Sequence, residues 1–345
     1  MKIKTLFFVF LSILLSTTCI LIILEIILRN LINFDMNYYS SPKKIDNKSI
    51  IIHPYGKIPI NSDGFFDEEF RFDSKKPKIG YFGDSVTYGV GAGHPYRFTE
   101  YLDQLSPEFE HLNLSGGLGI SLANWNEKIN EFLLKKNISK IIYVINLNDI
   151  APLSNKYIGK NNIPKNVKNI NFFKKIAAPF DKYLRGESML YTYFRFKIKS
   201  ILVKRGFEAS GFKSIELFPT KNVNHIINAS KIINNWSSKM KNIGIQTCLV
   251  ILPYEMQISR NASEYYKSIG IQFEENFEEF STQKILIENL SSVSRPYFVK
   301  DGFEEKNIGY YYVFDKGDKI DFNHPNRKGH FVIASEISRN KICQN

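Results

Sequence analysis

The sequence predicts an α/β fold in which a doubly wound parallel sheet is sandwiched by helices, preceded by one N-terminal transmembrane helix. Short apolar runs of strand length alternate along the chain with segments of helical periodicity, the pattern of successive βαβ units. One run, Ile141–Ile145, is apolar throughout, as expected for a strand buried on both faces of a parallel sheet. The segment from Thr5 to Leu24 has no charged side chain, and a helix of that length, at about 1.5 Å per residue, spans the roughly 30 Å of bilayer hydrocarbon.

The elements of the α/β region follow from the same periodicities. The predicted strands are Lys78–Phe82, His111–Leu114, Ile141–Ile145, Gln246–Leu252 and Tyr310–Phe314. The predicted helices are Phe98–Leu105, about Ser121 to Lys136, about Val223 to Lys241 and about Asn326 to Arg339. Right-handed crossovers between parallel strands place the carboxyl ends of the strands, and the loops that follow them, along the edge where ligands bind.

Composition divides the chain into three regions and one insertion. The regions are a membrane anchor, a lead-in rich in turn formers and the α/β domain, at residues 1–34, 35–77 and 78–345. Residues from about 150 to 218 interrupt the strand–helix alternation and are basic and aromatic. This insertion has three interpretations: a lid over the active edge, an amphipathic patch on the bilayer, or ordinary helices packed on the core.

The N-terminal span is interpreted as an uncleaved anchor. A cleaved signal peptide is the competing interpretation, but apolar residues resume after Glu25 and no small-x-small cleavage site follows. Lys2 and Lys4 precede the span without an acidic residue, which favours a cytoplasmic N-terminus and an exported body, although basic residues also follow from Arg29 onward. The expected location is therefore the inner membrane, with the α/β domain on the exported side.

Charge and cysteine content exclude some classes of function. The formal net charge is +12, but lysine is abundant throughout and no basic stripe with interleaved aromatics is present, so nucleic-acid binding is not expected. Attraction to anionic lipid headgroups fits a membrane-anchored chain better. Cys19, Cys248 and Cys343 form neither a CxxC pair nor a Cys/His cluster, so neither a metal site nor a disulfide is expected.

Two segments at opposite ends of the α/β region carry the groups of a nucleophilic site. Ser85 follows a buried strand in a glycine-bearing turn, and its hydroxyl is a weak nucleophile unless a base takes its proton. His324 offers that base, and Asp321, three residues before it, offers an acid to orient the imidazole. The pattern indicates attack on an acyl group.

Two further turns offer donors for an oxyanion. The segment 113–121 is rich in glycine and opens a helix, where backbone N–H groups lack partners within the helix. Asn148 places a side-chain amide just past the strand Ile141–Ile145. A tetrahedral intermediate needs donors of these two kinds.

These stretches, in this order, resemble the SGNH/GDSL hydrolase family. The matching blocks are Gly83–Gly89, Gly119, Asn148 with Asp149, and Asp321 with His324, and the lead-in Asn61–Phe65 resembles membrane-anchored bacterial members. The resemblance covers roughly residues 60 to 340, without the insertion.

The chain departs from the family pattern at two places. Asn146 stands where the third block has glycine and could crowd the approach to the oxyanion site. The glycine-rich turn carries one extra residue before Gly119, so Gly116 or Gly117 could be the donor instead.

The resemblance implies a flavodoxin-like fold and a division of catalytic roles. Ser85 attacks an ester carbonyl, His324 accepts its proton and Asp321 holds the imidazole. The backbone N–H groups of Ser85 and Gly119 and the Asn148 side chain bind the oxyanion. No metal or organic cofactor is required.

The function implied is hydrolysis of an ester outside the inner membrane. Acetyl or other acyl groups on a cell-envelope glycan are the expected substrate class, with lipid esters second. Two alternatives remain: an O-acyltransferase that uses the same serine, favoured if the insertion is a water-excluding lid, and a catalytically silent envelope protein that binds glycan in the same cleft.

Overall fold

The structure is a computed structural model, and its described part comprises most of the chain. The described residues are 3–31, 43–45, 48–53, 56–71, 75–116, 122, 125–153, 183–184, 187–191, 193–195, 217–268, 272–293, 296–315 and 319–344. The chain divides into two compact units. The smaller unit comprises Met1–Ser41 and Ile163–Glu208, and the larger comprises Pro42–Asn162 and Ala209–Asn345. The boundaries at residues 34 and 77, and the limits of the insertion, stay predictions.

The larger unit contains the strands and most of the helices. Its strands are β1 (Lys43–Ile45), β2 (Lys48–His53), β3 (Gly56–Ile60), β4 (Lys78–Gly83), β5 (Glu110–Asn113), β6 (Lys140–Ile145), β7 (Gln246–Ile251), β8 (Pro296–Phe298), β9 (Tyr312–Asp315) and β10 (Lys319–Pro325). The smaller unit begins with helix α1 (Ile3–Leu31). The helices of the larger unit are α2 (Ser85–Tyr88), α3 (Phe98–Leu105), α4 (Glu127–Lys135), α5 (Leu147–Leu153), α6 (Val223–Asn242), α7 (Glu255–Ile258), α8 (Arg260–Ser268), α9 (Ser281–Glu288) and α10 (Arg327–Arg339).

The central sheet confirms the predicted α/β fold. Its five described strands are all parallel and lie in the order β5-β4-β6-β7-β8. Numbered along the chain, this is the order 2-1-3-4-5 of doubly wound flavodoxin-like sheets, whose direction of winding reverses between the strands here called β4 and β6. Ligands of such folds bind beyond the carboxyl ends of the strands at that reversal. A site is therefore expected beyond the carboxyl ends of β4 and β6.

Apolar side chains fill both sides of the central sheet. One buried cluster joins sheet residues such as Ile141 to Leu133 of α4 and Ile233 of α6. The other joins sheet residues such as Ile142 to Leu102 of α3 and Ile337 of α10. Successive residues of one strand therefore pack into opposite cores, which explains why the run from 141 to 145 is apolar without alternation.

Two small sheets lie apart from the central one. β1, β2 and β3 form an antiparallel sheet within the segment that the sequence analysis treated as a lead-in. β9 pairs antiparallel with β10, so the strand predicted at Tyr310–Phe314 is present at Tyr312–Asp315 but does not extend the parallel sheet. Antiparallel neighbours need only a short connection, whereas a further parallel strand needs a crossover.

A disulfide corrects the expectation that the cysteines have no structural role. Cys248 of β7 and Cys343, beyond the end of α10, are joined with their Cα atoms 6.0 Å apart. The two residues are 95 positions apart in the sequence. A crosslink between such distant residues has no signature in local spacing, and the fold alone brings the two side chains together. Cys19 is a free cysteine on the surface of α1.

Helix α1 is long and apolar enough to cross a membrane. The candidate span is Phe7–Leu31, with mean hydropathy 2.7 and no part of its most apolar stretch buried against the protein. Within the described residues it is the one helix with this length and composition. These properties fit a membrane anchor and also fit a signal sequence.

Candidate active site

Ser85 lies where β4 turns into the short helix α2. The Asp84 side chain caps this helix, because its Oδ1 accepts a hydrogen bond of 2.9 Å from the Val86 N–H. Gly83 is required by packing, since a Cβ at this position would collide with the Thr87 hydroxyl and the Val144 carbonyl oxygen. The glycine, the aspartate and the position of the serine are thus explained by the turn itself.

His324 meets Ser85 from the other end of the larger unit. Its Nε2 lies 2.6 Å from the Ser85 Oγ, although 239 residues separate the two in the sequence. Both side chains are partly exposed. When Nε2 carries no proton, the serine hydroxyl donates to it, which is the geometry by which a histidine activates a serine.

Two asparagines hold the backbone on either side of His324. The Asn146 Nδ2 donates to the carbonyl oxygen of Asn323 at 3.0 Å, while the Asn146 Oδ1 accepts from the Leu147 N–H. Asn326 caps α10 through its Oδ1, and its Nδ2 lies within hydrogen-bond distance of three backbone carbonyl oxygens, those of residues 309, 310 and 312. The backbone around His324 is therefore held from the residue after β6 and from residues 309, 310 and 312, and not by its own strand alone.

The contacts of Asn146 were not anticipated from the sequence. The sequence suggests that this side chain could crowd the oxyanion site, but it is buried and its two polar atoms bind Asn323 and Leu147. The available signal was a polar residue at the buried end of an apolar strand, because such a residue needs a partner. The sequence does not show which partner that is.

Asn148 is linked to Ser85 through Asp84. Its Nδ2 donates to the Asp84 Oδ2 at 2.9 Å, and the same carboxylate oxygen lies 3.3 Å from the Ser85 hydroxyl. The Asn148 Oδ1 is buried and has no hydrogen-bond partner in the described part of the chain. A side-chain amide carries two N–H donors, and the bond to Asp84 uses one of them.

The remaining predicted site residues are placed only in part. Asp321 belongs to β10, but its side chain lies outside the described residues, as do Gly117 and Gly119 entirely. Gly116 is described and has a φ of 83°, and a Cβ there would collide with the Phe66 ring. The roles of Asp321 and Gly119 stay predictions.

A buried arginine ties the lead-in to helix α3. Arg97 is fully buried, donates to Asp67 at 2.8 Å and to the Phe66 carbonyl oxygen, and pairs with Glu100. Burial alone would raise the pKa of Glu100, but the Arg97 charge and its hydrogen bonds outweigh burial and lower it. Asp67 in turn accepts from the Asn113 N–H at the end of β5. Sequence analysis missed this network.

His330, a buried histidine near the site, packs in the core. His330 stacks on Phe98 with a ring-centroid distance of 5.9 Å, and its Nδ1 accepts from the Phe98 N–H. Burial lowers the pKa of His330 to about 3, so the ring is neutral. Among the described residues, no group of three or more His, Cys, Asp or Glu side chains is arranged to hold a metal ion.

Comparisons with known proteins give structural neighbours but no sequence match. No family model and no curated protein matches the sequence. A putative lipolytic protein of the G-D-S-L family from Desulfitobacterium hafniense DCB-2 is 12% identical, with a TM-score of 0.36 over 76% of this chain and 99% of that one. An acetyl xylan esterase, AlAXEase, is 12% identical, with a TM-score of 0.38 over 76% and 98%. LAE5, an alpha/beta hydrolase enzyme from the metagenome of Lake Arreo, Spain, is 11% identical, with a TM-score of 0.37 over 79% and 99%.

Proposed function

We propose that this chain is an ester hydrolase of the SGNH/GDSL type in which Ser85 is the nucleophile and His324 the general base. One observation carries the proposal: the 2.6 Å between the Ser85 Oγ and the His324 Nε2, two groups from opposite ends of the α/β region. Ser85 follows β4 and Asn148 follows β6, the two strands between which the winding of the sheet reverses. The matches to the family's blocks, from Gly83 to His324, support the same assignment.

The reaction proceeds in two steps through an acyl-enzyme. Ser85 Oγ attacks the ester carbonyl carbon as its proton passes to His324 Nε2, and the carbonyl oxygen becomes an oxyanion. The Ser85 N–H, the Asn148 side chain and Gly119 in its predicted role bind this oxyanion. When the intermediate collapses, the ester C–O bond breaks and the alcohol leaves with the proton from His324.

Water completes the second step. His324 removes a proton from the water, which attacks the acyl carbon, and the second intermediate releases the carboxylic acid and returns the proton to Ser85 Oγ. In this scheme Asp321 holds the imidazole in the tautomer that leaves Nε2 free to accept a proton. Asp84 touches both Ser85 and Asn148 and acts by positioning them.

The proposed location is the exported side of the inner membrane, with α1 retained as a single-pass anchor. The Cys248–Cys343 disulfide supports an exported domain, because disulfides persist in oxidising compartments and are rare in the cytosol. Acyl groups on a cell-envelope glycan, acetyl groups first, are the proposed substrates, with lipid esters second. Location and the resemblance to the family support this choice.

The test uses the full chain in detergent with a fluorophosphonate probe and an aryl acetate. We expect labelling at Ser85, and we expect Ser85→Ala and His324→Ala each to lower kcat on the order of 10⁴-fold or more. Ser335→Ala and His225→Ala, which alter residues outside the site, serve as matched controls and should keep wild-type rates. Labelling that persists in Ser85→Ala would contradict the proposal.

Assays on the same preparation distinguish hydrolysis from acyl transfer and from glycan binding without turnover. Release of acetate from acetylated glycans supports hydrolysis, whereas transfer of the acyl group to a glycan hydroxyl without net release supports a transferase. Glycan binding that is equal in the wild type and in Ser85→Ala, without any turnover, supports a binding protein.

A further inference from the structure

A carboxylate in the spanning helix binds the backbone of the insertion. The two Glu25 oxygens accept hydrogen bonds of 2.8 Å from the Met189 and Leu190 N–H groups and one of 2.9 Å from the Ser188 hydroxyl. Arg29, one turn further along α1, pairs with Glu25 at 2.6 Å. These contacts all lie inside the smaller unit. Glu25, which interrupts an apolar sequence, therefore has a specific set of partners.

The position of Glu25 along α1 sets the depth of those partners. The uncharged stretch Thr5–Leu24 has a length of about 30 Å as a helix, which is the thickness of the bilayer hydrocarbon. Glu25 is the next residue, so a helix that spans with this stretch places the carboxylate at the boundary between hydrocarbon and headgroups. Residues 188–190 bind this carboxylate directly and must lie at the same boundary.

The neighbouring side chains suit that environment. Tyr183, Leu184 and Phe194 are 71%, 38% and 53% exposed, which is unfavourable for large apolar groups in water and favourable against lipid. Tyrosine, present here also at 191 and 193, is enriched at membrane interfaces. Between residues 163 and 208 the sequence has eleven lysines and arginines against three acidic residues, a balance that attracts anionic headgroups.

We propose that residues 183–184, 187–191 and 193–195, here called the juxtamembrane segment, form a lipid-binding surface docked on α1 through Glu25. Tyr183, Leu184 and Phe194 contact the acyl-chain boundary of an anionic bilayer. This inference goes beyond ester hydrolysis and rests only on the anchor part of the proposed function. For these residues it favours the second interpretation of the insertion, an amphipathic patch on the bilayer.

Depth measurements with spin labels test the surface in the full chain. Single cysteines replace Phe194, Leu184, Leu14 and Arg260 in a Cys19→Ser background, where Cys248 and Cys343 remain paired. The protein is placed in nanodiscs that contain phosphatidylglycerol, and collisions of each label with oxygen and with a water-soluble nickel chelate are measured. We expect labels at Phe194→Cys and Leu184→Cys to lose most nickel collisions relative to Arg260→Cys, whose native side chain is 80% exposed on α8.

The outcomes distinguish this inference from the proposals it builds on. Nickel collisions at position 194 equal to those at position 260 would overturn it, and so would a label shielded from both reagents in detergent and bilayer alike, as under a lid. If Leu14→Cys also reports water, the anchor itself fails. If Leu14→Cys reports hydrocarbon while Phe194→Cys reports water, only the lipid-binding surface fails. Repeating the series in Ser85→Ala makes the result independent of catalysis.

The docking contact has its own test. Glu25→Ala removes the acceptor of all three hydrogen bonds from residues 188–190, so the label at Phe194→Cys should regain nickel collisions and tumble faster, while Leu14→Cys stays in the hydrocarbon. Glu264→Ala, which removes a carboxylate from the surface of the larger unit, is the matched control and should change neither label. An unchanged label at position 194 in Glu25→Ala would overturn the role of Glu25.

Discussion

Ser85 and His324, the proposed nucleophile and base, are held in place by different parts of the fold. Ser85 begins α2, two residues after β4, which pairs with β5 on one side and β6 on the other, and this helix is capped by the adjacent Asp84. His324 lies on β10, whose described pairing is with β9 alone. The nucleophile is thus positioned by the core of the sheet and by its own sequence neighbours. The base is positioned by contacts that reach it from distant segments.

This difference predicts that the region of the base is the easier one to disturb. A residue fixed by a central strand moves only if the sheet opens, which costs a large part of the folding free energy. A residue fixed by a few hydrogen bonds and one crosslink can shift when any of them is removed. Three sets of substitutions remove such contacts: the disulfide and the Asn146 bond near His324, and the Asn148 bond near Ser85.

Removing the disulfide should have the largest effect. Cys343 follows α10, the helix that begins just after His324, and Cys248 lies in the central sheet, so the bond ties the base's segment to the nucleophile's sheet. For 95 residues between the cysteines, loop-closure entropy predicts a loss of about 4–5 kcal/mol in the free energy of unfolding of the double variant Cys248→Ala, Cys343→Ala. Urea titration of the full chain in detergent measures this loss.

Hydrogen exchange of the same variant measures which of the two regions loses more protection. Amides of β9, β10 and α10 should lose more protection than those of β4. Cys19→Ala is the control and should leave both the urea midpoint and the exchange pattern unchanged. Equal loss of protection in β4 and α10 would mean that the two regions unfold as one unit.

Asn148→Ala should have the next largest effect, and on rate more than on stability. The variant removes an N–H donor beside Ser85 and the hydrogen bond to Asp84, so kcat should fall about 10²–10³-fold, or about 3–4 kcal/mol, while KM changes little. Steady-state kinetics with an aryl acetate measure it. Asn234→Ala, which removes an equivalent side chain bound to the Asn289 carbonyl oxygen far along the chain, should leave kcat unchanged. A rise in KM at constant kcat would assign Asn148 to substrate binding instead.

The contrast between the two regions also explains what the sequence predicted. The strands β4, β6 and β7 and helix α3 were predicted nearly to the residue. Each has a strong local signal of its own, a continuous apolar run in the strands and a helical period in α3. The turn around Ser85 was predicted equally well, since Gly83 and Asp84, which shape it, immediately precede the serine.

Three of the features that sequence analysis missed depend on partners far along the chain. The Cys248–Cys343 bond, the contact of Asn146 with Asn323 and the burial of Arg97 beside Asp67 each join residues that no local pattern connects. β8 was missed for a different reason: it has three residues at the edge of the sheet, too few for a periodic signal. Local patterns therefore revealed the turn around Ser85, and only the fold revealed the long-range contacts, including those that flank His324.

Asn146→Ala should have the smallest effect of the three and tests the positioning of the base most directly. The change removes the hydrogen bond to the Asn323 carbonyl oxygen, which is worth about 1–1.5 kcal/mol, so kcat should fall about tenfold with KM unchanged. The reaction of Ser85 with a fluorophosphonate, which also needs His324, should slow by the same factor. Asn146→Gly, which restores the residue of the family pattern, should behave like Asn146→Ala, because the bond is lost in both. If either variant keeps the wild-type rate, the β10 backbone holds His324 without help from Asn146, and the two regions do not differ in how they are held.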